Sequence, residues 1–143
     1  MIRHGLAILL LIGLIQIGVA ADDAQAGTRI GGGIHYLRTL GDIKEISGID
    51  ENAFGFMGSV TFATSGVRLE ADLEWRPDCI GTDKSLILPQ AYVFLGGLIY
   101  GGLGVGIGHY DGEFMDDPFF ALRAGVSLTP GSFELDLFTS YQF

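Results

Sequence analysis

Apolar and polar residues alternate without exception along residues 66–75. The odd positions are all apolar, and the even positions are Arg68, Glu70, Asp72 and Glu74. Successive side chains of a strand point to opposite faces, so this stretch predicts a β-strand with one apolar and one charged face.

Six further stretches show the same two-residue period, softened in places by glycine. They are residues 29–37, 54–63, 86–95, 99–108, 118–128 and 133–143. Short turns alternate with long polar connections, the latter at residues 39–52, 76–84 and 109–117. The sequence therefore predicts an all-β domain over residues 27–143, with seven visible strands in an antiparallel up-and-down meander and all long loops at one end.

The first 21 residues have a different character. Arg3 and His4 precede an apolar run that is shorter than the roughly 20 residues of a membrane-spanning helix and that ends in small residues. These features are typical of a secretory signal peptide. We expect cleavage after Ala21, or as late as Ala26, and export of the domain.

The charged face decides which kind of barrel the meander forms. Ten residues rise roughly 33 Å, and a tilt of about 45° shortens this to about 24 Å, close to the apolar band of a membrane barrel. Four charges facing lipid in residues 66–75 would cost on the order of 8 kcal/mol or more. A secreted lipocalin-like barrel would need an apolar lumen and a polar outside. We therefore predict a transmembrane β-barrel of the eight-stranded type, with its charges facing the lumen.

Through this pattern and its ending Ser-Tyr-Gln-Phe, the chain after the signal resembles the small outer-membrane β-barrels of Gram-negative bacteria, the OmpA/OmpX-like group of porin-family barrels. The resemblance implies a location in the outer membrane, contact with its lipid and lipopolysaccharide, and insertion by the barrel assembly machinery. Bacterial barrels have an even number of strands. We therefore expect an eighth strand beyond Phe143 or, failing that, within residues 39–52.

The candidate site is a network of ion pairs in the lumen, which the side chains of an eight-stranded barrel are expected to fill. Its predicted members are Arg68, Glu70, Asp72, Glu74, Arg123, Glu134 and Asp136. The simplest role of such a network is to neutralise buried charges in a non-catalytic barrel with a structural or surface-interaction role. The alternative is a narrow cation-preferring channel, gated when the arginines and carboxylates exchange partners.

Aromatic residues near strand ends predict a girdle at the membrane–water interface. They are Tyr36, Trp75, Tyr110, Tyr141 and Phe143.

Four glycines share one face of residues 99–108, at positions 102, 104, 106 and 108. They lack the spacing of a nucleotide-binding loop. We expect them instead to make room for bulky interior neighbours such as Tyr92, Phe94 or Phe119.

Other chemistry is sparse. The net charge of -9 argues against nucleic acid as a partner. A lipid A-modifying barrel enzyme is the second alternative, but no Ser lies two residues from His35 or His109, so we expect no enzyme and no catalytic residue. His35 falls on the luminal face, where we expect a structural imidazole.

Metal and cofactor sites are not indicated either. The acidic residues 111–117 match no calcium-binding spacing, and the single Cys79 permits no disulfide within the chain, so we expect no metal or cofactor. The sequence specifies no partner for the loops.

Overall fold

A computed structural model describes residues 8–20, 27–40, 52–64, 66–77, 84–130 and 133–143 of the chain, with residues 8–20, 39–40 and 133 described by their backbone alone. The predicted loops that contain residues 41–51 and Cys79 lie outside this description. The strands are β1 (Ile8–Ala20), β2 (Gly27–Leu40), β3 (Asn52–Thr64), β4 (Val67–Arg76), β5 (Leu86–Gly96), β6 (Ile99–Gly106), β7 (His109–Tyr110), β8 (Glu113–Phe114), β9 (Phe119–Leu128) and β10 (Phe133–Gln142). Within the described residues, no helix is long and apolar enough to cross a membrane.

The predicted all-β meander is confirmed. Each of the seven predicted stretches forms a strand, and they are neighbours in the order β2, β3, β4, β5, β6, β9, β10, every pair antiparallel. The sheet curls into a barrel-like wall. Tight turns join β3 to β4 and β5 to β6 at one end, with β9 and β10 also meeting there, and we call this the short-turn end. The opposite end is the long-loop end.

The eighth strand lies where the sequence analysis did not place it. Residues Ile8–Ala20 form β1, which pairs antiparallel with β2 on one side and with β10 on the other. The alternation of apolar and polar positions could not reveal this strand because the segment is apolar almost throughout. Cleavage of a signal peptide after Ala21, or as late as Ala26, is a question of processing and stays a prediction.

Polarity is reversed relative to a water-soluble sheet. Along β4 the charged positions are turned inward, so that Glu70 and Asp72 are buried, while Leu69 and Leu73 are 50% and 56% exposed. The other long strands with described side chains follow the same rule, with apolar residues outward. The inner wall therefore carries the charges, and the outer wall is apolar.

Two local features differ from the prediction. Arg76, assigned to a loop, is the last residue of β4 and points inward with the other even positions. Residues 109–117, predicted as one loop, contain the short hairpin β7–β8. Its turn is Asp111-Gly112, and both residues have positive φ, as the two-residue hairpin turn with this sequence requires.

The glycine stripe of β6 makes room for interior side chains, as predicted. A Cβ at Gly102 would collide with Phe94, one at Gly104 with the ring of Tyr92, and one at Gly106 with Phe119. A Cβ at Gly108 would meet Met115. Beyond Tyr100, which itself points inward, this face of β6 carries only glycines, and bulky rings from neighbouring strands fill the interior there.

Candidate functional site

The inner wall near the short-turn end is organised around Arg68. Its Nη1 lies 3.4 Å from Glu134 Oε1, and its Nη2 lies 3.3 Å from Asp136 Oδ2. Its Nε lies 3.7 Å from Glu70 Oε2. One guanidinium on β4 thus links two carboxylates of β10 across the interior and one on its own strand.

Neighbouring groups complete the bonding of these carboxylates. Tyr100 donates a hydrogen bond of 2.7 Å to Asp136, and Ser127 donates one of 2.8 Å to Glu134. Arg29, on β2, also pairs with Glu134. Each acid of β10 therefore has both an arginine and a hydroxyl partner, which offsets the cost of its burial.

The middle of the interior is occupied by Arg123, whose side chain is 1% exposed. Its Nη1 donates a hydrogen bond of 2.8 Å to Glu70 Oε1. Its Nη2 lies 2.8 Å from Asp72 Oδ2, as an ion pair whose N–H direction falls short of a well-aligned hydrogen bond. The guanidinium also lies 3.9 Å from the ring centroid of Tyr92 and 4.4 Å from that of Phe138. The charge is thus held by two acids and two aromatic faces.

Towards the long-loop end the central group is Glu74, which is fully buried. Arg76 Nε donates to Glu74 Oε1 at 2.7 Å, and Gln90 Nε2 donates to Glu74 Oε2 at 2.9 Å. Arg76 Nη2 also donates to Gln142 at 3.2 Å, which connects β4 with β10. His35 Nδ1 lies 3.5 Å from Glu74 Oε1.

His35 lies in the interior, where the sequence analysis placed it. It is 1% exposed, and neither ring nitrogen has a hydrogen-bond partner among the described residues. Its ring packs edge-on against Phe138, with centroids 5.0 Å apart. Packing and the nearby Glu74 carboxylate hold this imidazole in place.

All seven predicted network residues lie on the inner wall, and the structure joins them into these clusters. Every one of the five carboxylates has an arginine within ion-pair distance. Several partners of the network were not predicted from the sequence, namely Arg29, Arg76, Gln90, Tyr100 and Gln142. The parity of residues 66–75, extended by one residue, would have included Arg76.

A cavity of about 450 Å³ opens at the short-turn end. Its lining includes Arg29, Arg68 and Glu134. Beyond it the interior is filled by a packed cluster that includes Tyr92 and Phe94. The arrangement therefore has a charged vestibule at one end and a tightly filled middle.

Four of the five predicted girdle residues lie on the outer face at the long-loop end. Phe56 stacks on Trp75, with centroids 5.8 Å apart, and Tyr141 packs on Phe143 at the same distance. Tyr36 contacts Phe54 in the same band.

Tyr110 departs from the girdle prediction. It pairs with Leu86, which is buried, and directly opposite residues of an antiparallel pair share a face. Its even position places it on the same inward face as the glycines of β6, so it does not join the outer band. Beside it, Lys84 pairs with Asp111, and this hydrogen bond raises the pKa of Lys84.

No group of three His, Cys, Asp or Glu in the described part of the chain is arranged to hold a metal ion. Comparison with protein-family models, with curated proteins and with solved structures finds no match to this chain. Inferences about function therefore rest on the fold and on the chemistry of the two walls.

Proposed function

We propose that this chain is an outer-membrane β-barrel protein of the OmpA/OmpX-like kind, non-catalytic, with a structural or surface-interaction role. The observation that carries the proposal is the reversed polarity of the sheet: ion pairs fill the interior while large apolar side chains cover the outside. An apolar outer wall of this extent has no partner in water, whereas lipid supplies one. Its partners would be membrane lipid, lipopolysaccharide and the barrel assembly machinery.

The outer wall supports this proposal strand by strand. Exposed apolar residues occur on every long strand whose side chains are described, among them Ile30, Phe62, Leu73, Val93, Leu103, Leu122 and Leu137. Strands of about ten residues match the height of the apolar band of a membrane barrel. The aromatic band at the long-loop end supports the proposal as well, because membrane proteins concentrate aromatic side chains at the level of the lipid headgroups.

Trp75 provides the test, because it is the single tryptophan of the chain and is 47% exposed on the outer face. The protein is refolded into vesicles whose lipids carry bromine at one of several depths along the acyl chain. We expect the strongest quenching of Trp75 fluorescence from bromine near the headgroups and weaker quenching from bromine at the bilayer centre. A chain that stays monomeric in buffer without detergent, with fluorescence insensitive to brominated lipid, would refute the proposal.

The cation-preferring channel is the second candidate, and the vestibule favours it. Arg68 lines this cavity and is shared among three carboxylates, so a change of partner would alter the shape of the cavity. Planar-bilayer recording separates the two candidates. We expect the refolded protein to be silent because its middle is packed. If Arg68→Gln opens a cation-selective conductance and the rim change Arg29→Gln does not, the channel with an Arg68 gate is the better description.

A further inference from the structure

The position of β1 defines a binding site formed by two strand edges. β1 is antiparallel to both β2 and β10, so these two strands run in the same direction and do not pair with each other. Between them is space for one strand, whose backbone must offer hydrogen bonds on both sides. In the described structure, Ile8–Ala20 occupies that space along most of the length of its neighbours.

Topology restricts what fits there. In a meander of seven strands the first and the last are parallel, so an antiparallel sheet closes only through a strand that runs opposite to both. Two copies of the chain with the same orientation in a membrane would bring β2 of one beside β10 of the other in parallel. A parallel pair has a different hydrogen-bond pattern from the rest of this sheet. A single extended segment therefore fits the space, and the edge of a second copy does not.

The walls of the space are buried and largely polar while β1 is in place. On β10 they include Asp136 and Ser140, which are 2% and 1% exposed, and on β2 they include His35 and Leu37. Loss of β1 would uncover these groups and leave two rows of unpaired backbone N–H and C=O groups, which are costly next to lipid. The site therefore favours an occupant strongly.

We propose that the space between β2 and β10 is a strand-acceptor site and that residues 8–20 bind it through backbone pairing, even without a covalent link to β2. The predicted signal-peptide cleavage would cut the chain between this strand and the sheet. The same segment would then serve as an export signal and as the strand that closes the barrel. If the piece is removed, the mature protein presents an open acceptor for an extended apolar strand.

The test uses the full chain with a protease site introduced in residues 21–26. The protein is folded in detergent, cut, and analysed by size-exclusion chromatography and by gel electrophoresis of boiled and unboiled samples. We expect the N-terminal fragment to stay with residues 27–143 after cutting and to be released only on boiling. If the fragment leaves while the remainder keeps its compact mobility, the proposal is wrong.

A matched control is the same chain with Leu11→Pro and Ile17→Pro. Proline has no N–H to donate and is poorly tolerated in a strand paired on both sides. We expect this fragment to dissociate after the cut. If the proline-containing fragment is retained as well as the original, retention does not come from strand pairing, and the proposal fails.

A second measurement reports on the site itself. Ser140 pairs with Leu11 and is buried, so Ser140→Cys, with Cys79→Ser to remove the native thiol, places a probe beside the space. We expect the thiol to resist a maleimide reagent in the folded chain before and after the cut, and to react once the proline-containing fragment has left. Rapid reaction in the intact, folded chain would show that β1 does not occupy the site, and would overturn the proposal.

Discussion

Replacement of Arg123 by methionine tests whether the interior charges depend on one another. The side chain is 1% exposed and lies 2.8 Å from both Glu70 and Asp72. Removing one partner of a buried ion pair costs about 3 to 5 kcal/mol, because the other charge is left uncompensated. Arg123 serves two acids, so we expect Arg123→Met to lower the free energy of unfolding by about 5 kcal/mol, at the upper end of that range.

The assay is denaturant unfolding in detergent or vesicles, followed by Trp75 fluorescence. With a urea dependence of about 2 kcal/mol/M, the expected loss moves the midpoint by roughly 2.5 M. The matched control is Lys84→Met, which breaks the pair with Asp111. Both side chains of that pair are largely exposed, so we expect no measurable shift.

A compensated variant distinguishes loss of charge balance from loss of volume. Arg123→Met combined with Glu70→Gln and Asp72→Asn removes the uncompensated charges along with the arginine. Neutral replacements of buried ion pairs are often tolerated, so we expect most of the lost stability to return. The reasoning would be refuted by Arg123→Met costing less than about 1 kcal/mol, well below the range for a broken buried pair, or by the triple variant being no more stable than the single one.

Two further changes test the two walls. Gly104→Ala places a methyl group against the ring of Tyr92, so we expect it to lower the free energy of unfolding by about 1 to 3 kcal/mol in the same assay. Gly101→Ala, on the outward face of the same strand, should change the free energy of unfolding little. Equal effects of the two would contradict the interior packing. Leu103→Arg puts a charge at the middle of the outer wall and should cost about 2 to 4 kcal/mol in lipid, whereas Leu98→Arg, in a turn at the short-turn end, should cost about 1 kcal/mol or less. The absence of any depth dependence would argue against a membrane around this wall.

The fold and the polarity of its two walls could be predicted from the sequence because they depend on the difference in polarity between neighbouring residues. A charge next to a leucine fixes which face is which, and the two-residue period carries that assignment along a strand. This is why residues 66–75 sufficed to place Glu70 and Asp72 inside. The same parity rule also accounts for the space that Gly104 leaves for Tyr92, since both are even positions and pair across β5 and β6.

The partners within the interior did not follow from parity. The sequence shows that Arg68 and Asp136 face inward, but not that the curl of the sheet brings β4 opposite β10. Neutral partners such as Gln90 carried no charge to mark them, although Gln90 bonds the most deeply buried acid, Glu74. Tyr110 lies near a strand end, which favours the interface, but its even position and its pairing with Leu86 place it on the inward face.

The closing strand could not be predicted from the alternation of apolar and polar residues, for a physical reason. Periodicity detects a difference between two faces, and Ile8–Ala20 offers almost none, because apolar residues fill nearly all of its positions. What places this segment in the sheet is the pairing its neighbours require: β2 and β10 each have an edge to satisfy, and both need a strand running the opposite way. Backbone hydrogen bonds between strands do not depend on the side-chain pattern, so one sequence can serve as both an export signal and a barrel strand. If the cut fragment remains bound, backbone pairing holds this segment in the sheet without a covalent link, and if it leaves a compact remainder, that account of the closing strand is wrong.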